Sequence, residues 1–408
     1  MGLVVRSKFF LFCILLSAFA INCEYGITRP ASNGLLLTYF SASVMPWVWL
    51  ATVPLNLLVV MLYNRYLSRI GPVKMLGTVA LLTIMINGLT AFIMPYFPGW
   101  IFFQFAWKDV YILLMFKQLW SLIHSSPIAL RAKIFYGFIY ATGTLGAVFG
   151  SLVPGLFAVE LGSAHLFFFT LPVYLFLFWG YKNAVCQLKG EALLPGPKEE
   201  NRPKDGFAIV RRSPFLLAVL GLVLLMQMAV GLMEFQFNSS LEQNVATLDL
   251  RTQYMGRMLS YTNLLSGFLQ LIGTGVLVHV LGLRKSHLAV PLMLLGGVAG
   301  LIAVPSFALV SFAFVFTKAV DFSLFGILRE MLYIPLKPEE KFQAKAVIDV
   351  FVHRSAKAVV SVCVLGLSLI AGKGCLPWIS PVAAIVLVTW VGVVWFSLRR
   401  HLPEKKFL

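Results

Sequence analysis

The sequence predicts an all-α polytopic membrane protein of about twelve transmembrane helices, arranged as two bundles of six. Hydrophobic residues make up 59% of the 408 residues, and charged residues make up only 12%. Apolar runs long enough to cross a bilayer recur from one end of the chain to the other. The alternating pattern of β-barrel strands is absent, and the runs are too long for such strands. We therefore expect membrane-spanning helices rather than a soluble core.

The first half of the chain, residues 1–181, is expected to form the amino-terminal bundle. Its first apolar run follows Arg6 and Lys8, and we interpret it as an uncleaved span, with a cleaved signal peptide as the alternative. A tight turn at residues 97–99 should join the third and fourth spans, because it contains Pro98 and Gly99. The six spans are expected near residues 9–21, 37–63, 75–96, 101–123, 134–159 and 165–181.

A solvated linker is expected at residues 182–213, which contain three prolines and eleven charged residues. Six further spans should form the carboxyl-terminal bundle, residues 214–398, before a basic tail at 399–408. They are expected near residues 214–237, 253–280, 288–304, 307–334, 346–370 and 378–398.

The distribution of lysine and arginine predicts the orientation of these spans. Of the 33 such residues, 23 lie in the termini and in the loops after even-numbered spans, and 3 lie in the loops after odd-numbered spans. This asymmetry predicts that both termini and the linker are cytoplasmic. It also explains the net charge of +17 without nucleic-acid binding. Six plus six spans around a cytoplasmic loop is a major-facilitator-like layout.

No pattern of catalytic or cofactor-binding residues is evident in the sequence. Walker A, HExxH and GxSxG motifs are missing, and no paired carboxylates lie on a plausible catalytic loop. The five cysteines form no CxxC pair and no metal-ligand spacing with histidine. We therefore expect no enzyme activity, no cofactor, no metal and unreactive free thiols.

Charged residues inside the expected spans are the informative positions, since each costs about 2.5–3.5 kcal/mol at the centre of a bilayer. Seven are basic and five acidic, and this excess of positive charge suits an anionic ligand. The basic residues are Lys108, Lys117, Arg257, Lys318, Arg329, Arg354 and Lys357. The acidic residues are Asp109, Glu234, Asp321, Glu330 and Asp349.

The spacing of these charges separates two expected roles. Arg354 and Lys357 are one helical turn apart, and Lys and Arg together can neutralise phosphate groups. For Lys357 and Glu234 we favour contact with a ligand over pairing that only locks helices. The opposite interpretation is favoured near the cytoplasmic ends, where ion pairs that gate or lock helices are expected from Arg329, Glu330 and Asp349.

Small residues line one face of the fifth expected span. Gly143, Gly146, Gly150 and Gly155 include a GxxxG motif, which favours close packing between helices. A backbone surface approached by a ligand is the alternative.

Three segments resemble the ATP/ADP antiporter family of intracellular bacteria and plastids. The most specific is Lys318–Ser361, KAVDFSLFGILREMLYIPLKPEEKFQAKAVIDVFVHRSAKAVVS. The segment Ala132–Ser151, AKIFYGFIYATGTLGAVFGS, is similar to the family's glycine-rich helix. The segment Val230–Gln243, VGLMEFQFNSSLEQ, places Glu234 at the position of a family carboxylate.

The resemblance implies a twelve-span exchanger of nucleotides in a bacterial inner membrane, with no chemical change to the substrate. Family charges important for transport correspond to Glu234 and Lys357. The expected substrate-binding residues are Lys357, Arg354, Lys318, Glu234, Asp321, Lys117 and Arg29. The chain departs from the family pattern at 28–32, where a lysine is missing, and at 124–125 and 237–238.

These departures leave two alternatives open. One is a proton-coupled carrier of another anionic metabolite, with the proton on Glu234 or Asp321. The other is a non-transporting membrane protein derived from the same fold. The expected partners are a nucleotide and the lipid bilayer, with no nucleic acid, and the oligomeric state is left open.

Overall fold

The computed structural model describes residues 2–124, 126, 132–188, 203–334, 336, 344–345 and 347–396. Among these residues every regular element is a helix. The chain divides into two compact units. The first unit comprises Met1–Ser41, Ala51–Lys198 and Val245–Asn263. The second comprises Ala42–Leu50, Glu199–Asn244 and Leu264–Leu408.

Fourteen α-helices are described. The first seven are α1 (Gly2–Phe40), α2 (Met45–Ile70), α3 (Pro72–Ile93), α4 (Trp100–His124), α5 (Ala132–Leu161), α6 (Thr170–Leu188) and α7 (Pro203–Arg212). The others are α8 (Pro214–Asn244), α9 (Leu248–Phe268), α10 (Thr274–Ala303), α11 (Phe307–Val320), α12 (Gly326–Leu332), α13 (His353–Ala371) and α14 (Leu376–Phe396). Three π-helical segments lie among the later helices, at Leu269–Gly273, Asp321–Phe325 and Val347–Val352.

Eight helical stretches of the described residues are long and apolar enough to cross a membrane, by length and composition. One of them is the 56-residue run Leu248–Ala303. This run is interrupted at Gly282, whose φ of 74° lies in the left-handed region that glycine adopts without strain. The interruption lies within the expected loop at residues 281–287. The protein is therefore an integral membrane protein with a helical fold.

The boundary expected between the first two spans is wrong. The first span was expected to end near Ile21, but α1 continues to Phe40 as a single helix with Pro30 inside it. The hydroxyl of Thr28 donates to the Glu24 carbonyl at 3.1 Å, and that of Ser32 donates to the Thr28 carbonyl at 2.6 Å. Pro30 leaves the Gly26 carbonyl without its helical N–H donor, a loss that membrane helices tolerate where neighbouring helices or local adjustments compensate for it.

The expected linker, residues 182–213, is partly helical. Helix α6 continues to Leu188, and α7 covers Pro203–Arg212. The compact units also differ from a simple division at the linker, because Ala42–Leu50 belongs to the second unit and Val245–Asn263 to the first. The domain boundaries at 181 and 214 stay predictions.

The glycine face of α5 packs directly against the backbone of α1. A Cβ atom on Gly146 would overlap the Phe19 carbonyl, and one on Gly150 would overlap the Cys23 carbonyl. The main chains of α5 and α1 are therefore in direct contact at these positions. This is the close packing that the GxxxG motif predicted.

The core of the first unit is built from apolar residues of helices α1 to α6. Ile14 of α1, Leu76 of α3, Tyr111 of α4 and Leu177 of α6 all lie in one buried cluster. Because lipid tails are as apolar as these side chains, such a core is held by close van der Waals packing rather than by exclusion of water. All five cysteines are free, and Cys13 is buried in this cluster.

Candidate functional site

A buried ion pair joins α8 and α11 in the second unit. Lys318 Nζ lies 3.0 Å from Glu234 Oε2. Lys318 is 3% exposed and Glu234 is 9% exposed. The ammonium group also lies 5.3 Å from the centroid of the Phe314 ring. Two charges removed from water in this way are stable only while both are present.

A second polar contact links the same two segments. Asp321 begins the π-helical segment that follows α11, and its Oδ1 accepts a hydrogen bond from Gln227 Nε2 at 2.9 Å. Gln227 and Glu234 are seven residues apart on α8, so they lie on the same face of that helix. Short π-helical segments occur frequently at functional sites. The same side of α8 therefore contacts both Lys318 and Asp321.

Aromatic and polar contacts fix this part of α8 on its other sides. The rings of Phe237 and Phe314 stack with centroids 4.2 Å apart and planes 8° from parallel. Gln236 Nε2 donates to Ser380 Oγ of α14 at 2.8 Å. Both contacts limit rotation of α8, so the Glu234 carboxylate is held in position toward Lys318.

Lys357 lies half-buried on α13, which also packs against α8. A Cβ atom on Gly231 would lie 3.1 Å from a methyl group of Val360, so these two residues mark the contact between the helices. Val360 is about one turn from Lys357, and Gly231 is about one turn from Glu234. The side chain of Arg354, the expected partner of Lys357 in phosphate binding, lies outside the described residues.

One of the three residues expected to gate or lock helices makes a described ion pair. Glu330 Oε2 of α12 lies 2.7 Å from Lys345 Nζ, and Lys345 was not singled out from the sequence. The two side chains are 45% and 38% exposed, so the pair contributes about 0–1 kcal/mol. Arg329 is half-buried on the same helix. The side chain of Asp349 lies outside the described residues, and these roles stay predictions.

Two expected substrate-binding residues belong to the first unit. Lys117 is exposed on α4, with Nζ 2.5 Å from Asn64 Oδ1. Arg29 is half-buried on α1, with its guanidinium carbon 5.7 Å from the centroid of the Tyr25 ring. The structure thus brings Glu234, Lys318 and Asp321 together in one unit and places Lys117 and Arg29 in the other.

Sequence reasoning missed Glu24, which lies inside α1 and is 1% exposed. Its Oε1 accepts hydrogen bonds from Tyr174 Oη at 2.7 Å and from Asn87 Nδ2 at 3.4 Å. The residue was overlooked because the first span was expected to end at Ile21. A longer span would have included Glu24 among the charges that need an explanation.

The comparisons with known proteins point to one family. Residues 274–407 match the family model described as TLC ATP/ADP transporter. This range contains Lys318, Asp321 and Lys357, whereas Glu234 lies before it.

Two curated relatives are named as ADP,ATP carrier proteins. The chain is 26% identical over 218 residues to ADP,ATP carrier protein 1 of Chlamydia pneumoniae, covering 48% of this chain and 42% of that protein. It is 25% identical over 288 residues to ADP,ATP carrier protein 1 of Rickettsia bellii, covering 62% and 57%. The chain spans about half the length of the curated relatives that it matches.

Solved structures confirm the predicted fold class. The nucleoside transporter NupG matches with a TM-score of 0.65 and 12% identity, covering 97% of this chain and 100% of that chain. A bacterial homologue of the human lysosomal transporter Spinster matches with a TM-score of 0.58 and 14% identity, covering 98% and 99%. The fold is therefore all-α and major-facilitator-like. The comparisons also confirm the resemblance that the motifs predicted, which is to ATP/ADP transporters and is carried most directly by residues 274–407.

Proposed function

We propose that this protein is a membrane transporter that exchanges nucleotides, either ATP for ADP or a related pair, by alternating access. The observation that carries the proposal is the buried pair of Glu234 and Lys318, 3.0 Å apart inside membrane helices. Its lysine lies within the segment that matches ATP/ADP transporters. A buried cation that must always have an anionic partner is suited to an anionic substrate.

In this proposal the nucleotide phosphate competes with Glu234 for Lys318. Without substrate, the carboxylate neutralises the buried ammonium group. When a phosphate oxygen replaces the carboxylate, Lys318 keeps an anionic partner and Glu234 becomes available for the ribose hydroxyls or the base. Leaving Lys318 without any anion is costly, so departure of one nucleotide is easiest when another follows or Glu234 returns.

Lys357 is proposed to bind the outer phosphates. It is only half-buried, so its ammonium group is more hydrated than that of Lys318 and is better placed to meet an incoming anion. Its helix packs against α8 at Gly231, one turn from Glu234. Arg354, one turn earlier on α13, is proposed to bind phosphate bidentately. Asp321, held by Gln227, is proposed to position substrate rather than to carry phosphate.

The proposed location is a bacterial inner membrane, with both termini and residues 182–213 on the cytoplasmic side. The asymmetry of lysine and arginine between alternate loops supports this orientation. The proposed bundles are residues 1–181 and 214–398. The substrate crosses unchanged, so the activity includes no chemical step.

The test is uptake of radiolabelled ATP into proteoliposomes that contain purified protein and internal ADP. We expect saturable uptake that excess external unlabelled ADP reverses. Lys357→Ala should lower uptake at least tenfold, whereas Lys285→Ala, a change at an exposed lysine of α10, should not. Absence of uptake in folded, inserted protein would contradict the proposal. Uptake that needs no internal nucleotide and collapses with an uncoupler would indicate a proton-coupled carrier instead.

A further inference from the structure

The first unit contains a buried carboxyl group that the proposed exchange does not use. Glu24 lies in the middle of α1 and is 1% exposed. Side chains from three other helices surround it: Asn87 of α3, Tyr111 of α4 and Tyr174 of α6. The two tyrosine rings meet edge to face with centroids 5.8 Å apart and planes at 89°. The group is therefore enclosed by side chains rather than open to solvent in this conformation.

The hydrogen bonds that Glu24 receives come from neutral donors. Tyr174 Oη donates to Oε1 at 2.7 Å, and Asn87 Nδ2 lies 3.4 Å from the same oxygen. Asn87 Nδ2 also donates to Tyr174 Oη at 2.9 Å, which fixes the direction of the tyrosine hydroxyl toward the carboxyl. The other oxygen, Oε2, is buried and has no hydrogen-bond partner among the described residues.

Among the side chains that the structure describes, the titratable groups on the surrounding elements do not supply a cation to this carboxyl. Lys108 of α4 has its Nζ 3.3 Å from the Phe105 carbonyl and 3.5 Å from Asp109 Oδ1, and Asp109 also accepts from Tyr25 at 3.3 Å. Helix α5 presents glycines to α1, while its Tyr140 and Glu160 are exposed, as is His165 in the turn that follows. The titratable group in hydrogen-bond contact with Glu24 is Tyr174, and Tyr111 packs against the Tyr174 ring.

An ionised carboxylate in this position would be a buried charge without a cation. Such a charge is costly to remove from water, and neutral hydrogen bonds from Tyr174, Asn87 and Thr28 offset only part of that cost. In the ionised group, Oε2 would carry about half of the negative charge, and no hydrogen-bond donor among the described residues reaches it. Binding one proton on this oxygen converts the carboxylate to a neutral carboxyl and removes the cost of burying a charge.

We propose that Glu24 is a proton-binding site, occupied in this conformation and emptied when water reaches it. One proton joins the carboxylate oxygen and leaves to water when the site opens, so charge and atoms balance. This role goes beyond nucleotide exchange and does not involve Glu234 or Asp321. If Glu24 opens and closes during transport, the exchange rate will depend on pH through this residue.

The direct test is infrared spectroscopy of the full-length protein in lipid nanodiscs at neutral pH. The wild-type protein should show the C=O stretching band of a protonated, buried carboxyl. Glu24→Gln should lack that band, and the matched change Glu160→Gln, at an exposed glutamate of α5, should retain it. An unchanged spectrum for Glu24→Gln would overturn the proposal.

A second variant keeps the test decisive if Glu24→Gln does not fold. Tyr174→Phe removes the 2.7 Å donor and leaves the carboxyl in place. Because a carbonyl that loses a hydrogen bond vibrates at higher frequency, the band should move upward. A band that does not move would overturn the assignment to Glu24.

A transport measurement tests the consequence separately. The rate of nucleotide exchange should vary with pH in the wild-type protein and should lose that variation in Glu24→Gln. Identical pH profiles would overturn the link to transport. Failure of the proposed nucleotide exchange would appear as no uptake at any pH, and the infrared band would still report on the proton site.

Discussion

Replacing Lys318 with methionine should destabilise the protein strongly, because it leaves Glu234 charged and buried without its partner. Two unit charges 3.0 Å apart attract by about 5–6 kcal/mol at the effective dielectric of about 20 that suits protein sites. Desolvation offsets part of this attraction in the intact pair. Removal of one partner from such a pair typically costs about 3–5 kcal/mol. We expect Lys318→Met to fall in that range.

The measurement is reversible unfolding in mixed micelles, with the double variant Glu234→Gln and Lys318→Met completing a double-mutant cycle. The double variant should recover most of the lost stability, because it leaves no buried charge. The pair of Glu330 and Lys345 is the control, since both side chains are more than one third exposed and its cycle should give about 0–1 kcal/mol. A single Lys318→Met variant as stable as the double variant would refute the reasoning.

Two further predictions concern packing and a polar contact in the first unit. Gly150→Ala should lower stability by about 1–3 kcal/mol, because its methyl group would overlap the Cys23 carbonyl, whereas Gly88→Ala should not, because nothing lies within 4 Å. Thermal denaturation of the two purified variants compares these effects, and equal midpoints would contradict the packing argument. Asp249→Ala should cost about 1–3 kcal/mol, because it removes the acceptor for Ser163 N at 2.7 Å and Ser163 Oγ at 2.6 Å. The double-mutant cycle with Ser163→Ala should then show coupling, and strictly additive losses would count against that contact.

Hydrophobic runs and punctuating residues predicted most of the fold. The turn at residues 97–99 was predicted from proline and glycine, and the interruption at Gly282 lies between two expected spans, although Gly282 itself was not singled out. Close packing of α5 was predicted from small residues four apart, and the structure identifies α1 as its partner. These features depend on a few neighbouring residues, so local sequence is sufficient to identify them.

The site could be predicted only as a list of residues. Glu234 and Lys318 are 84 positions apart, and no local pattern specifies how α8 and α11 rotate to face each other. No sequence pattern predicted the π-helical segment that begins at Asp321, although this segment sets the direction of the Asp321 carboxylate. Glu24 was missed for a different reason: the first span was expected to end near Ile21, whereas α1 continues through Pro30 to Phe40.

The glycine face between α5 and α1 has a consequence for how the first unit can move. Contacts between side chains can adjust by changing rotamers, but a main-chain contact such as that of Gly146 with Phe19 has no such freedom. Sliding one helix along the other would drive the next residue's Cβ into a carbonyl. Helices α1 and α5 should therefore move together as one rigid body, so that any displacement of Glu24 on α1 also displaces α5.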